Sequence, residues 1–327
     1  MFRVERYTAS MQKRWDSFVL HDSINGTFLQ TRQFIEYHPE GRFLDHSIIF
    51  YKGNTIAACI LACELEVNGE RVFFSHKGTT FGGIIAAHNI YNASSISALM
   101  DDFEEYLKDA GIRKVYLKMT PAVFSRGNVD LLDYFLYQRD YMEYDELNYF
   151  IKLGRYREDI LSQFSSSKRR DYRYSAKNDL IFKELLSSEA IKSFYEILQL
   201  NLEKFNAKSV HTYEELLDLK FGRFNENIEF YGVYLGEQMI AGSMVFLFDG
   251  KIMHTQYLSS DKSYLKYFPM DFLVYHLILR AIEKGLEIFT FGICTEQQGK
   301  YLNIGLSRFK EGFGTEYCLN KSFEKIL

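Results

Sequence analysis

Three clusters in the sequence hold residue types that could do chemistry. The first is the run Ser165-Ser-Ser-Lys168-Arg169-Arg170-Asp-Tyr-Arg173-Tyr-Ser-Ala-Lys177, five basic groups and one acid. On a helix Arg169, Arg173 and Lys177 recur every four residues as one cationic stripe, with Arg170 one step round. Guanidinium forks grip phosphate oxygens in pairs, so Lys168, Arg169, Arg170, Arg173 and Lys177 are candidate ligands for a phosphate-bearing molecule. The plainer reading is a solvated helix face. The second cluster is His211, just ahead of Thr212-Tyr-Glu-Glu215, a capping box that opens a helix over 213–221. The dipole at a helix start favours a neutral imidazole, which can accept a proton from an amine. A ring simply packed over the helix end is the alternative. The third is Lys310, flanked by Phe309 and Phe313 and followed by Gly312 and Gly314. A fixed cation aimed at a carbonyl under attack stabilises the oxyanion by several kcal/mol, and a lysine closing a helix C-terminus exploits the same charge and dipole physics.

The elements that must position these groups come in two sets. The segments 47–58 and 231–242 each read as strand, tight turn and strand, with Gly53 and Gly236 at the turns 183 residues apart. A further Gly turn follows in each, at Gly69 and Gly250, 181 residues apart. Each set then runs into a helix closed by glycine and a following strand: 98–110 with Gly111 and 114–118, then 270–284 with Gly285 and 288–291. Four matched elements in one order, at offsets between 174 and 184, predict two copies of one α/β unit. Between them, 155–206 has no Pro and little Gly, and it reads as a packed helical connector, with helices over 156–164, 167–177 and 187–205. The boundary falls near residue 154, giving domains over 1–154 and 155–327, the second including the basic connector 155–206.

Composition sets limits on what the clusters can do. The 327 residues allow about two domains with full cores. The 39 Lys and Arg against 43 Asp and Glu give a net charge of −4, so no global field draws the chain onto DNA, and any anion site is local. Cys59, Cys63, Cys294 and Cys318 lack metal-ligand spacing and read as reduced core thiols, so no metal is expected. The N-terminus lacks the apolar run of a signal peptide and no segment has the length and apolarity of an integral membrane span, which predicts a cytoplasmic location. The 24 Tyr and 29 Phe against one Trp suit two sheets of strand residues.

The C-terminal run Phe289-Thr-Phe-Gly292, Asn303-Ile-Gly305-Leu and Phe309-Lys310-Glu-Gly-Phe313-Gly314 resembles the ending of the FemAB-like (BioF2-like) branch of the GNAT-fold acyltransferases, where F-x-F-G is followed by N-x-G-L and F-K-x-x-F-G. Thr290 stands where that family often has Asp, and the pair of long helices that cell-wall aminoacyltransferases often insert is absent. The resemblance implies an α/β (α+β) fold of two tandem GNAT-like domains, each a mixed central sheet flanked by helices. It also implies transfer of an acyl group from a thioester or an aminoacyl-tRNA to an amine, and it places Lys310 near the reacting acyl group. The strand 252–260 and the loop after it would then hold the donor, with Ser259, Ser260, Lys262, Ser263 and Lys266 in contact with it. That loop lacks the glycine-rich form usual in acetyl-CoA enzymes. Tyr257, set to share a strand face with Thr255, could protonate the leaving thiolate.

The expected function is N-acyl transfer from acyl-CoA as co-substrate to the amine of a phosphate-bearing cell-envelope or polysaccharide precursor, with Lys310, Tyr257 and His211 catalytic. Aminoacyl-tRNA is the second candidate donor. A non-catalytic binding or scaffold protein of the same fold is a third reading, motivated by the missing glycine loop.

Overall fold

The computed structural model describes residues 1–75, 77–203 and 209–327. The chain forms two compact units, one of Met1–Leu147 with Gln297–Lys300 and Cys318–Leu327, the other of Asn148–Glu296 with Tyr301–Tyr317.

In the first unit one sheet runs in the order Arg3–Arg6, Ile48–Lys52, Thr55–Ile60, Ile84–Ala86. A second runs Leu44–Asp45, Cys63–Val67, Glu70–Phe74, Lys114–Lys118, and residues 322–326 of the Glu316–Ile326 strand pair antiparallel with Lys114–Lys118. Trp15, Phe50, Phe73 and Phe103 are fully buried in this unit, each burial contributing roughly 1.5–3 kcal/mol. In the second unit the order is Leu180–Glu184, Ile228–Leu235, Gln238–Phe248, Ile252–Ser260, Ile288–Ile293, then the 148–152 end of Met142–Lys152. Phe194, Phe230, Phe246 and Phe289 fill its core.

The duplication is visible strand by strand. Both first hairpins turn on a glycine at φ +61, Gly53 and Gly236, a left-handed conformation that a side chain would oppose. Both carry a register shift close to that turn, at Phe50/Tyr51 and Val233/Tyr234. Each unit has one parallel three-residue pairing: Val72↔Lys114 to Phe74↔Tyr116 in the first, Ile252↔Ile288 to His254↔Thr290 in the second. The helices that precede the second strand of each pair are Ala93–Asp109 and Pro269–Glu283.

Several sequence expectations need correction. Residues 318–327 were expected in the second domain; they pair with Lys114–Lys118 and belong to the first unit. Residues 148–154 were expected in the first; 148–152 pair with Ile288–Ile293 and belong to the second. The connector is not all helical, because Leu180–Glu184 is a strand paired with Ile228–Leu235. Its short apolar run Leu180-Ile-Phe182 is compatible with either state, and the open sheet edge decides it. The helix expected over 156–164 is reduced to Ile160–Gln163 with Asp159 as cap. The basic helix spans Ser166–Ser175, so Lys177 lies beyond its end and the expected stripe is one turn shorter. The next helix is Ser188–Glu203; of the helix expected over 187–205, Lys204 and Phe205 lie outside the described residues. The helix expected over 213–221 is Tyr213–Leu217 followed by a π-helical turn, Asp218–Arg223.

Candidate active site

Parallel pairing between the Ile252–Ser260 and Ile288–Ile293 strands stops at His254↔Thr290. Beyond it the first strand continues alone on that side for six residues, so an open edge lies between the two strand ends. At Gln256 the register with Gln238–Phe248 slips by one, so that Val245 faces Thr255 and Met244 faces Tyr257. This bulge interrupts the alternation that would have put Thr255 and Tyr257 on one face. Thr255 Oγ1 donates to Thr290 O at 3.3 Å, while the Tyr257 hydroxyl meets His211 Nδ1 at 2.7 Å. His211 is buried and sits directly before Thr212, whose capping box with Glu215 is fully formed. Two residues read separately from the sequence are thus in contact. Burial pushes the Tyr257 phenol above its ordinary value, which keeps it protonated at neutral pH.

Lys310 comes from the helix Ile304–Glu311, opened by Asn303, whose side chain accepts from Leu306 N at 3.0 Å. The residue is 4% exposed, and its ammonium donates to Phe291 O, Gly292 O and Ile293 O at 2.9, 3.0 and 2.8 Å. Three successive carbonyls reach one ammonium because Gly292, at φ +73, breaks the alternation of a regular strand. A lysine has three N–H donors, so none is left for an oxyanion in this arrangement. The sequence placed Lys310 near the reacting group; the structure places it where it holds the open strand edge in shape. Burial lowers its pKa, with Cys294 opposing. Burial and the Lys310 charge together bring the neighbouring imidazole of His254 down to about 3.

The expected donor residues are close together but not arranged as a phosphate cradle. Ser259 is buried, and Ser260 O accepts from Asn201 Nδ2 at 2.7 Å. The loop holding Lys262, Ser263 and Lys266 is a 3-10 helix, Lys262–Tyr267, and Asp261 caps it by accepting from Ser263 N at 2.9 Å. The Pro269–Glu283 helix that follows starts on a residue with no N–H and carries a buried carboxylate, Asp271, in its first turn. An anion at that helix start would meet a carboxylate already there.

Lys168 is that carboxylate's partner, at 2.7 Å from Asp271 Oδ1. It also lies 4.2 Å from the Phe309 ring centre and 4.9 Å from that of Phe313. The half-buried Lys168 ammonium is thus engaged by a carboxylate and two rings, unlike the exposed Arg173 and Lys177. Arg170 is turned to the adjacent Asp171 at 3.0 Å. Arg169, Arg173 and Lys177 make no ion pair among the described residues, and Arg173 and Lys177 are exposed. The helix is anchored on its other side by Tyr172, stacked on Tyr275 with ring centres 3.9 Å apart.

Sequence reasoning missed Asp261 and Asp271, and also a chain of hydroxyls beside Lys310. Tyr149 OH meets Ser307 Oγ at 2.7 Å, and Ser307 Oγ donates to Glu311 Oε1 at 3.0 Å. Among the described residues no group of three or more His, Cys, Asp or Glu side chains could hold a metal ion, and no helix is long and apolar enough to cross a membrane.

Residues 162–311 match the model of the acetyltransferase (GNAT) domain, a stretch that takes in the basic helix, the open strand edge and Lys310. Residues 162–311 therefore carry a GNAT-type acetyltransferase domain. The fold of the chain is shared with solved FemX and tandem GNAT structures. A crystal structure of FemX superposes over 99% of this chain and 97% of its own, with a TM-score of 0.71 at 14% identity. The C-terminal domain of a putative lysylphosphatidylglycerol synthetase from Agrobacterium fabrum does so over 97% and 92%, at 0.59 and 13%. A tandem GNAT protein from the clavulanic acid biosynthesis pathway covers 100% and 98%, at 0.59 and 8%. At these identities the likeness is one of fold. No curated protein sequence matches the chain.

Proposed function

We propose that the second unit moves an acyl or aminoacyl group from a thioester or ester donor to an amine of a phosphate-bearing cell-envelope or polysaccharide precursor. The observation that carries this reading is the 2.7 Å pair of His211 and Tyr257 beside the open strand edge. The amine nitrogen attacks the donor carbonyl carbon, a C–N bond forms and the C–S or C–O bond breaks. Tyr257 gives its proton to the leaving sulfur or oxygen, and the surplus amine proton returns to the Tyr257 and His211 pair, which ends as it began. Lys310 acts as a positioning residue, holding 291–293 in place through three hydrogen bonds. Arg169, Arg173 and Lys177 take the acceptor's phosphates.

Acyl-CoA is the donor that a GNAT domain suggests. A specific observation favours the second candidate, an aminoacyl ester such as aminoacyl-tRNA. Asp261, Pro269 and Asp271 occupy the turn and helix start where a coenzyme A pyrophosphate would need free N–H groups. The test is label transfer from acetyl-CoA, longer acyl-CoAs and charged tRNA to an amino-sugar nucleotide. Tyr257→Phe is expected to lower kcat about 100-fold with any productive donor, and His211→Ala by a similar factor. Transfer at the wild-type rate by both variants would overturn the assignment. Arg169→Glu with Arg173→Glu is expected to raise KM for the phosphorylated acceptor and leave kcat in place.

A further inference from the structure

We infer that the first unit carries a ligand site of its own, for an organic phosphate with an apolar body, in a cavity of about 690 Å³ beside the helical segment 12–22. Its size is that of pockets which enclose small organic ligands, roughly 300–1,000 Å³. One wall is the helix Gln12–Ser17 and the π-helical turn Phe18–Asp22, and the facing wall is the hairpin turn at Asn54 with Ile56. π turns inside helices recur at functional sites because they re-aim side chains.

The chemistry is graded along this wall. Lys13 and Arg14 stand at one end, and neither has an ion-pair partner among the described residues. Arg14 is held ready by Asn54 O, to which its Nη2 donates at 2.9 Å, and by the Tyr51 ring 5.6 Å away. A guanidinium fixed by one edge keeps its other N–H groups for a bidentate oxyanion, and the neighbouring ammonium adds a second charge. Phe18 and Ile56 supply an apolar floor. Asp22 lies about two turns further, roughly 12 Å along the axis, where a carboxylate would accept from a hydroxyl or amine on the ligand's far end. Free phosphate would use the cationic end alone, whereas an aryl or alkyl phosphate would use the floor as well.

The site is independent of the transfer chemistry, so its test can be too. Isothermal titration of the full chain would use the Arg169→Glu/Arg173→Glu variant, which removes the basic helix as a competing anion site. Phenyl phosphate is expected to bind at one site, about tenfold tighter than inorganic phosphate, and phenol is expected not to bind. Adding Lys13→Glu with Arg14→Glu is expected to weaken phenyl phosphate at least tenfold. Thr55→Trp, on the exposed hairpin turn, fills the cavity without changing charge and is expected to block binding, which covers the case of a charge variant that fails to fold. No binding of phenyl phosphate in this background, or binding unchanged by Thr55→Trp, would overturn the proposal.

Discussion

The two parallel strand pairs start alike and finish differently. In the first unit the main chain and the Ser75 hydroxyl close the edge beyond the pairing. Ser75 N donates to Tyr116 O at 2.9 Å, Ser75 Oγ accepts from Lys118 N at 2.7 Å, and Gly82 N donates to Lys118 O at 2.7 Å. The matching stretch of the second unit, 291–293, has its carbonyls taken by the ammonium of Lys310 instead. Backbone closure lays chain against the edge and seals it. A side chain satisfies the same polar groups without filling the space in front of them. The difference shows how one copy of a duplicated unit can keep an open slot at a sheet edge while the other becomes scaffold.

The comparison breaks most visibly at Lys310. Lys310→Met removes the donor of three hydrogen bonds at a largely buried edge, and at about 1 kcal/mol or more each the second unit should lose about 3 kcal/mol of stability in urea unfolding, with transfer lost as well. A stable Lys310→Met protein would show that the ammonium does not hold the edge. Tyr257→Phe comes next, about 100-fold in kcat or roughly 2.7 kcal/mol, with stability in urea lowered by only about 1 kcal/mol for the lost bond to His211. A third effect is in pH. His254 titrates at about 3 in the folded state against about 6.5 in the unfolded chain, so between those values only the unfolded chain takes up the proton. Stability from this group is therefore complete above pH 6.5 and declines by up to about 1.4 kcal/mol per unit as pH falls toward 3. His254→Phe should flatten that slope in a series of urea melts. The first unit offers a contrast, because its buried His46 bonds to Glu64 at 2.9 Å, a contact that opposes the lowering by burial. The smallest effect is expected for Ser75→Ala, about 1 kcal/mol, since Lys118 N loses one acceptor. A larger loss there than at Lys310 would reverse the roles assigned to the two edges.

The duplication was legible because turn glycines and strand pairs recur at fixed offsets, and those are local signals. The individual candidates His211 and Tyr257 were legible from a capping box and a strand, but their contact was not, since 46 residues separate them. The ion pair of Lys168 was hidden for the same reason. The lysine's charge suggested an anion ligand, and its partner, Asp271, lies on another helix. The three-carbonyl seat of Lys310 depends on Gly292 leaving ordinary strand geometry, which no periodicity announces. The strand Leu180–Glu184 escaped because the three-residue apolar run at its start gains its identity from the neighbour it pairs with.

The strand Glu316–Ile326 has a consequence for how the protein is made. Its last residues complete the sheet of the first unit, although they are made some 200 residues after the strand they pair with. At roughly 5–20 residues per second, the 204 positions between 118 and 322 take on the order of 10–40 s to translate. Through that interval Lys114–Lys118 waits without this neighbour, so the nascent first unit has an unprotected flank that invites pairing with other chains. Vectorial synthesis finishes the second unit's strands before it finishes the first's.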